Sequence, residues 1–239
     1  MEIILNNEPN ECELKANKVA STLPYLRSMT DALVTAEKLL QADAVRLSPH
    51  QPFTWASGWK SPIYCDNRKV LSKPFIRDFI KSELCNVVFE KFADAELVAG
   101  VATAGIAWGA MVADQLKLPF IYVRPKPKEH GLGNQIEGEF SAGQKVVVIE
   151  DLISTGKSSL QVVDVLKQNG VEILGMVSIF NYQFDVAKEA FEKAGVTYQS
   201  LTNYPSLLTL AEQRGIIRSA DEEILLKWRS DPANWKGLS

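Results

Sequence analysis

The segment VVVIEDLISTGKSS, residues 146–159, constrains the fold of this chain more than any other part of its sequence. It begins with four β-branched residues, 146–149, a run typical of a strand that is buried on both faces. Glu150 and Asp151 follow at the end of this strand, where open α/β sheets place their ligands. The small residues 154–156 then lead into an amphipathic helical pattern. Because a helix start offers unpaired N–H groups and a positive dipole end, the loop is predicted to hold a phosphate group.

Three other interpretations compete with this one. A nucleoside-triphosphate P-loop requires a glycine five places before Gly156, and Asp151 stands there. A dinucleotide fingerprint is excluded because Ile136 replaces the last glycine that should follow residues 131–133. A plain strand–turn–helix, capped by a hydroxyl side chain of residues 154–155, stays open. Since carboxylates would repel a phosphate, the two acids favour a ligand that also carries ribose hydroxyls or a metal ion.

Predicted strands and helices alternate through most of the chain. The strands cover residues 97–101, 119–123, 146–149, 173–180 and 197–201, and the helices between them cover residues 106–116, 158–166 and 186–194. This alternation predicts an α/β protein with right-handed crossovers and a mainly parallel, twisted sheet flanked by helices. Further helical patterns begin at Asp31 and Pro74, and residues 205–235 are helical in pattern.

The chain is predicted to divide into four parts. Residues 1–28 have weak periodicity and form an N-terminal extension, so Met29 is an alternative start. Residues 29–72 hold a helix and a small N-terminal hood, residues 73–203 form the α/β core, and residues 204–239 form a C-terminal helical segment. The sequence contains no internal repeat and no low-complexity linker.

The composition argues against several classes of protein. With 239 residues, 46% of them hydrophobic, the chain can bury one sizeable core. A net charge of −3 argues against a general nucleic-acid surface. Cys12, Cys65 and Cys85 are odd in number and scattered, which argues against a disulfide framework or a zinc site. No apolar run is long enough to span a membrane and no signal pattern opens the chain, so a cytoplasmic location is expected.

Two further loops have the composition of anion sites. Residues 101–106, VATAGI, would let an anion approach backbone N–H groups, although a tight turn alone also explains them. Residues 124–138, RPKPKEHGLGNQIEG, form a long polar loop. Its cations recur at alternate positions, at Arg124, Lys126, Lys128 and His130. As a mobile flap, this loop would neutralise a pyrophosphate leaving group and exclude water; otherwise it is a solvated charged loop.

Residues 53–66, FTWASGWKSPIYCD, combine aromatic side chains with a Ser–Gly turn and Lys60. One interpretation is a packed hairpin with a snorkelling lysine. The other is a hood that stacks on a planar base and offers it a charged donor. Tyr182, which follows a predicted strand, also has two interpretations: it packs in the core, or it contacts the base.

Together these motifs resemble those of the type I phosphoribosyltransferases, and most closely the orotate phosphoribosyltransferases. The acid pair with its small-residue loop is shared by the whole class. The hood FTWASGWKSPIYCDNR and the flap motif KEHG point to the orotate branch. The resemblance extends from about Asp31 to Gly215, which is most of the chain.

The resemblance implies a reaction and its partners. The phosphoribosyl group of phosphoribosyl pyrophosphate would pass to N1 of orotate, giving orotidine 5′-monophosphate and pyrophosphate in pyrimidine (UMP) biosynthesis, with Mg²⁺ as cofactor. Orotate and phosphoribosyl pyrophosphate would be the small-molecule partners, with neither nucleic acid nor membrane. A homodimer that shares its flaps across subunits is expected.

The resemblance also assigns roles to residues, none of them as a protein ligand of a metal. It implies that Lys128, His130 and Asp151 are catalytic, and that Ser154 and Lys60 contact orotate. Phosphoribosyl pyrophosphate is expected to be bound by Arg124, Lys128, His130, Glu150, Asp151, Leu152, Ile153, Ser154, Thr155, Gly156, Lys157 and Ser158.

Several positions depart from the better-known pattern of the family. Ala56, Ala104 and Pro125 stand where that pattern has lysines, and Asn181 stands where an arginine would meet the orotate carboxylate. These joint departures indicate a second sub-type of the family. Two alternatives stay open: a phosphoribosyltransferase for a purine or another base, and a regulator of the same fold that senses phosphoribosyl pyrophosphate. The acidic residues of the N-terminal extension argue against a regulator that binds nucleic acid.

Overall fold

The computed structural model describes residues 31–55, 57–126 and 135–237. The helices are α1 (31–41), α2 (Pro74–Lys91), α3 (Ala104–Leu116), α4 (Lys157–Gln168), α5 (Asp185–Ala194), α6 (Tyr204–Gln213) and α7 (Glu222–Ser230). The strands are β1 (Val45–Leu47), β2 (Phe53–Thr54), β3 (Lys60–Ser61), β4 (Ile63–Cys65), β5 (Leu97–Val101), β6 (Phe120–Val123), β7 (Ile136–Glu137), β8 (Lys145–Ile153), β9 (Glu172–Asn181) and β10 (Tyr198–Asn203). Two 3₁₀ helices cover Asn67–Ser72 and Ser219–Asp221.

A six-stranded sheet forms the centre of the α/β fold, in the strand order β10-β9-β8-β5-β6-β7. Neighbouring strands from β10 to β6 pair in parallel, and only the edge pair β6–β7 is antiparallel. The prediction of a mainly parallel sheet flanked by helices is therefore confirmed. The predicted strands and helices lie within a few residues of the observed ones.

Strand β8 is longer than the sequence pattern predicted. The apolar run ends at Ile149, but β8 continues through the two acids to Ile153. The extension has a physical cause, because β9 continues beside it and pairs Leu152 with Phe180 and Ile153 with Asn181. The acid pair therefore lies on a backbone fixed by strand pairing.

The sheet separates two hydrophobic cores. Successive side chains of a strand point to opposite faces, so Val147 and Ile149 of β8 join one core while Val146 and Val148 join the other. All four are fully buried. This explains why the run 146–149 has no polar position.

The N- and C-terminal segments pack on the first of these cores. Strand β1 pairs with β4 and β2 pairs with β3, each in a two-stranded antiparallel sheet. Thr202 at the end of β10 donates a 2.7 Å hydrogen bond to the carbonyl of Ala32 on α1. Residues 1–28 lie outside the described residues, and the division into four parts stays a prediction.

No helix in the described part of the chain is both long and apolar enough to cross a membrane. The cytoplasmic location stays a prediction.

Candidate active site

Glu150 and Asp151 lie side by side near the C-terminal end of β8. The carboxylate of Glu150 accepts two hydrogen bonds, one of 3.0 Å from the hydroxyl of Ser159 and one of 2.9 Å from the backbone N–H of Asp151. Glu150 is only 5% exposed, whereas Asp151 is half-buried. The first acid is thus fixed in place, and the second is partly exposed.

The surroundings of this pair disfavour its negative charge. Burial raises the pKa of Glu150 well above its ordinary value, and the neighbouring charge of Asp151 raises it further. Burial also raises the pKa of Asp151, although hydrogen bonding with the Glu150 side chain and, next, the guanidinium of Arg68 oppose this shift. A ligand that supplies hydroxyl donors or a cation would relieve the excess negative charge of the pair.

The loop 154–156 changes the direction of the chain between β8 and α4. Gly156 has a φ of +75°, in the left-handed region, and a Cβ at this position would lie 2.8 Å from the ring of Phe191. Its carbonyl accepts the first bond of the helix from the N–H of Leu160. The N–H groups of residues 157–159 therefore have no partner within the helix and are available to an anion.

The alternative of a turn capped by Ser154 or Thr155 is wrong. Gly156 itself occupies the N-cap position of α4, and no side chain in the described part of the chain makes a capping hydrogen bond there. Both hydroxyl side chains precede the cap and are half-buried. They therefore do not cap the N-terminus of α4.

The second small-residue loop lies directly beside the first. It joins β5 to α3, and its Ala102–Thr103 peptide bond is cis. A Cβ placed on Gly105 would lie 2.6 Å from the carbonyl oxygen of Ile149, the residue before the acid pair. Only a glycine allows this approach, so the two predicted anion loops meet at the same edge of the sheet.

The segment that follows the hood is tied to the acid pair. The side-chain amide of Asn67 donates a 2.8 Å hydrogen bond to the backbone carbonyl of Asp151. Asn67 is fully buried, and its own carbonyl oxygen accepts a 3.4 Å bond from the thiol of Cys65. Beside it, the exposed Arg68 pairs with Asp66 at 2.6 Å. None of Asn67, Arg68 and Ser159 is among the site residues predicted from the sequence.

A cavity of about 1040 Å³ lies between the tip of the hood and the predicted phosphate loop, residues 154–156. Trp55, Ser57 and Trp59 line it on the hood side. The opposite wall consists of Ser154, Thr155 and Lys157, together with Leu160, Gln161, Asp164, Val186 and Ala190 from α4 and α5. The hood therefore faces the loop across a space large enough for a small ligand.

Comparisons with known proteins identify the relatives of this chain. A family model described as a phosphoribosyl transferase domain matches residues 83–203. The orotate phosphoribosyltransferase of Phocaeicola vulgatus is 55% identical over 201 residues, which cover 84% of this chain and 95% of that protein. The chain belongs to the orotate phosphoribosyltransferase family.

Solved structures of the family agree with this assignment. The orotate phosphoribosyltransferase from Aeropyrum pernix has a TM-score of 0.66 and 31% identity, and the match covers 77% of this chain and 99% of that chain. The enzyme of Mycobacterium tuberculosis H37Rv, in complex with 5-phospho-α-D-ribosyl 1-diphosphate, has a TM-score of 0.57 and shares the fold at 24% identity. That match covers 74% of this chain and 98% of that chain.

The polar loop 124–138, the predicted flap, is described only at its two ends, residues 124–126 and 135–138. The N–H of Arg124 donates to the carbonyl of Gln135 at 2.9 Å, and its guanidinium lies 3.7 Å from the carboxylate of Glu137. Lys128 and His130, two of the predicted catalytic residues, lie outside the described residues. Ala56 of the hood lies outside them as well.

Three further residues bear on binding of the nucleobase: Lys60, Asn181 and Tyr182. The ammonium of Lys60 donates a 2.8 Å hydrogen bond to the hydroxyl of Thr54, and Lys60 is absent from the described residues that line the cavity. Asn181 is only 3% exposed and accepts a bond from the N–H of Gln183. Tyr182 is fully packed among aromatic rings, so of its two interpretations core packing is confirmed.

The raised pKa of Glu150 predicts a specific pH dependence of stability. Between the ordinary pKa of a glutamate and the raised pKa of the folded protein, the unfolded chain loses a proton that the folded chain keeps, so stability falls as pH rises. Glu150→Gln is expected to remove this loss. At about pH 8 the variant should exceed the wild type in free energy of unfolding by on the order of 1 kcal/mol, and at about pH 4 the two should be nearly equal.

Urea unfolding at several pH values measures this difference. Glu189→Gln, which changes an exposed acid on α5, is the matched control and should give no such trend. If the difference in free energy of unfolding between Glu150→Gln and the wild type did not change with pH, the raised pKa of Glu150 would be contradicted.

Proposed function

We propose that this chain transfers the phosphoribosyl group of phosphoribosyl pyrophosphate to orotate, and that the junction of β8 and α4 holds the ribose 5-phosphate. The main support for the proposal is the order of chemical groups along this junction. An acid pair, of which Glu150 is buried and Asp151 half-buried, is followed within a few residues by a helix start whose first N–H groups have no partner within the helix. A ribose phosphate carries both hydroxyls and a phosphate, the two kinds of group that such a junction can bind.

The acid pair is proposed to bind the ribose. Carboxylates accept hydrogen bonds from hydroxyls, and Glu150 and Asp151 are positioned by β8 before the ligand arrives. The loop Leu152–Ser158 is proposed to surround the 5′-phosphate, with backbone N–H groups and the ammonium of Lys157 as donors. Orientation by this surface would place C1′ of the ribose for attack by the base.

The base is proposed to lie under the hood. Trp55 and Trp59 are stacked at 6.3 Å and line the cavity opposite Ser154, which suits a planar, partly apolar ring. Ser154 and Lys60 are the proposed orotate contacts. Asn181 is not a proposed contact, because its side chain is buried and lines a different cavity with Arg229 and Asn203.

The residues present fit a magnesium ion that enters with the substrate. The described residues contain no group of three or more His, Cys, Asp or Glu that could hold a metal ion. Mg²⁺ needs no such cage, because it commonly binds through one or two carboxylates together with substrate phosphates. Asp151, with its raised pKa and partial exposure, is the proposed contact on the protein side. When bound, Mg²⁺ would supply positive charge to the pyrophosphate.

The chemistry asks for no nucleophilic side chain. As C1′ loses pyrophosphate, positive charge develops on the ribose and negative charge on the leaving group. The proposed task of Lys128, His130 and Arg124 is to neutralise that leaving group while the flap excludes water. Orotate carries its negative charge on the carboxylate and keeps a proton on N1, so N1 must release this proton, to water or to the departing pyrophosphate, as its bond to C1′ forms.

A homodimer that shares its flaps is part of the proposal. The predicted flap begins at the C-terminal end of β6. Along the same sheet edge, this end lies two strands, or about 10 Å, from β8. From this base, Lys128 and His130 are proposed to reach over the active site of a partner subunit.

The reaction is tested by following the ultraviolet absorbance of orotate after addition of phosphoribosyl pyrophosphate and Mg²⁺. Orotate should be consumed, whereas adenine, hypoxanthine and uracil should not react in parallel assays. Removal of Mg²⁺ with a chelator should stop the reaction. Consumption of another base in place of orotate would overturn the proposed substrate, and binding of phosphoribosyl pyrophosphate without turnover of any base would favour the regulator.

The shared flap is tested by mixing two impaired variants. Lys128→Ala should lower turnover more than orotate binding, and Asp151→Asn should weaken binding of phosphoribosyl pyrophosphate. If each flap serves the partner subunit, a mixed dimer contains one complete site. Random exchange makes half of the dimers mixed, so activity should recover to about a quarter of the wild-type value at limiting phosphoribosyl pyrophosphate. No recovery after verified subunit exchange would show that each flap covers its own site.

A further inference from the structure

The hood is held in place by the C-terminal part of the chain. Trp228 on α7 is fully buried, and its indole N–H donates a 3.1 Å hydrogen bond to the backbone carbonyl of Lys60 on β3. The two residues are 168 positions apart in the sequence. Helix α7 contributes none of the described residues that line the cavity under the hood. It therefore supports the cavity indirectly, through its contact with the hood.

The hairpin β2–β3 is too small to hold its own position. Each strand has two residues, and the pairing consists of Phe53 with Ser61 and Thr54 with Lys60. Two-stranded hairpins are marginally stable in water without packing against other elements. An external contact with the backbone of β3 therefore has a large influence on where the hairpin lies.

The indole ring of Trp228 also supports the wall of the cavity. It packs edge-on against Trp55, with ring centroids 5.8 Å apart, and Trp55 stacks in turn on Trp59. On its other sides it contacts Tyr182 at 5.7 Å and Phe184 at 5.5 Å, both fixed after β9. The ring thus connects the sheet to the two tryptophans that face the phosphate loop.

A polar contact links the same two parts of the chain at a second point. His50, in the loop before β2, lies 2.7 Å from the carboxylate of Asp221 and 2.9 Å from the guanidinium of Arg218. The C-terminal segment thus contacts the hood at its start, through His50, and at β3, through Lys60.

We propose that Trp228 is a positioning residue for the base: it fixes the Lys60 carbonyl and the Trp55 ring, and so sets the distance of the hood from the phosphate loop. This inference rests on the proposed function, because it takes the hood as the base side of the site. The contacts of Trp228 given above reach the hood and the aromatic residues after β9, and none of them involves the loop 154–156. Its loss should therefore affect orotate and leave phosphoribosyl pyrophosphate nearly unaffected.

The substitution Trp228→Phe tests this inference, because it keeps an aromatic ring and removes the donor to Lys60. Loss of a buried hydrogen bond leaves the carbonyl unpaired, so KM for orotate should rise about ten-fold. KM for phosphoribosyl pyrophosphate and kcat at saturating substrates should stay within about two-fold. Leu226→Ala, on the exposed side of the same helix, is the matched control and should change neither KM.

A second variant separates the hydrogen bond from the packing of the ring. Replacement of Trp228 by 3-benzothienylalanine keeps the shape of the indole and substitutes sulfur for the N–H group, so the fold is retained without the donor. It should reproduce the rise in KM for orotate. An unchanged KM for orotate in this variant, or an equal rise of KM for both substrates, would overturn the inference. Failure of the wild type to consume orotate would instead reject the proposed function.

Discussion

The start of α3 touches the backbone of β8, and the arrangement of the site depends on that contact. Gly105 has no side chain, so it can lie against the carbonyl of Ile149 immediately before the acid pair. On the same helix, a Cβ placed on Gly109 would lie 2.7 Å from the ring of Phe120. Because α3 approaches the sheet so closely, the loop after β5 and the loop after β8 meet at one edge. A larger residue at position 105 would separate the two loops.

The site carries an electrostatic cost that its ligand would offset. Two adjacent carboxyl groups are held at the end of an apolar strand, where burial opposes their ionisation. Ser159 and Asn67 fix the geometry without adding positive charge. In the proposed function the ribose hydroxyls and a cation would supply the missing partners, so the binding surface is organised before the substrate arrives.

Local patterns explain what the sequence analysis could predict. The run 146–149 and the alternation of strands and helices depend on periodicity within short segments, and these features predicted the sheet and the acid pair. The contacts made by Asn67 and Trp228 join positions 84 and 168 residues apart. Such contacts have no local signature, so the support of the site by the hood and the C-terminal segment could be found only in the structure.

In the proposed function, the junction of β8 and α4 holds a ribose phosphate while the hood covers the base. A crystal structure with bound orotidine 5′-monophosphate tests it most directly. We expect ribose hydroxyls within hydrogen-bond distance of Glu150 or Asp151, the phosphate at the N–H groups of residues 157–159, and the base beside Trp55 and Trp59. A phosphate bound away from this loop, or an orotate carboxylate that points away from the hood, would show that this junction and the hood do not bind the product in this way.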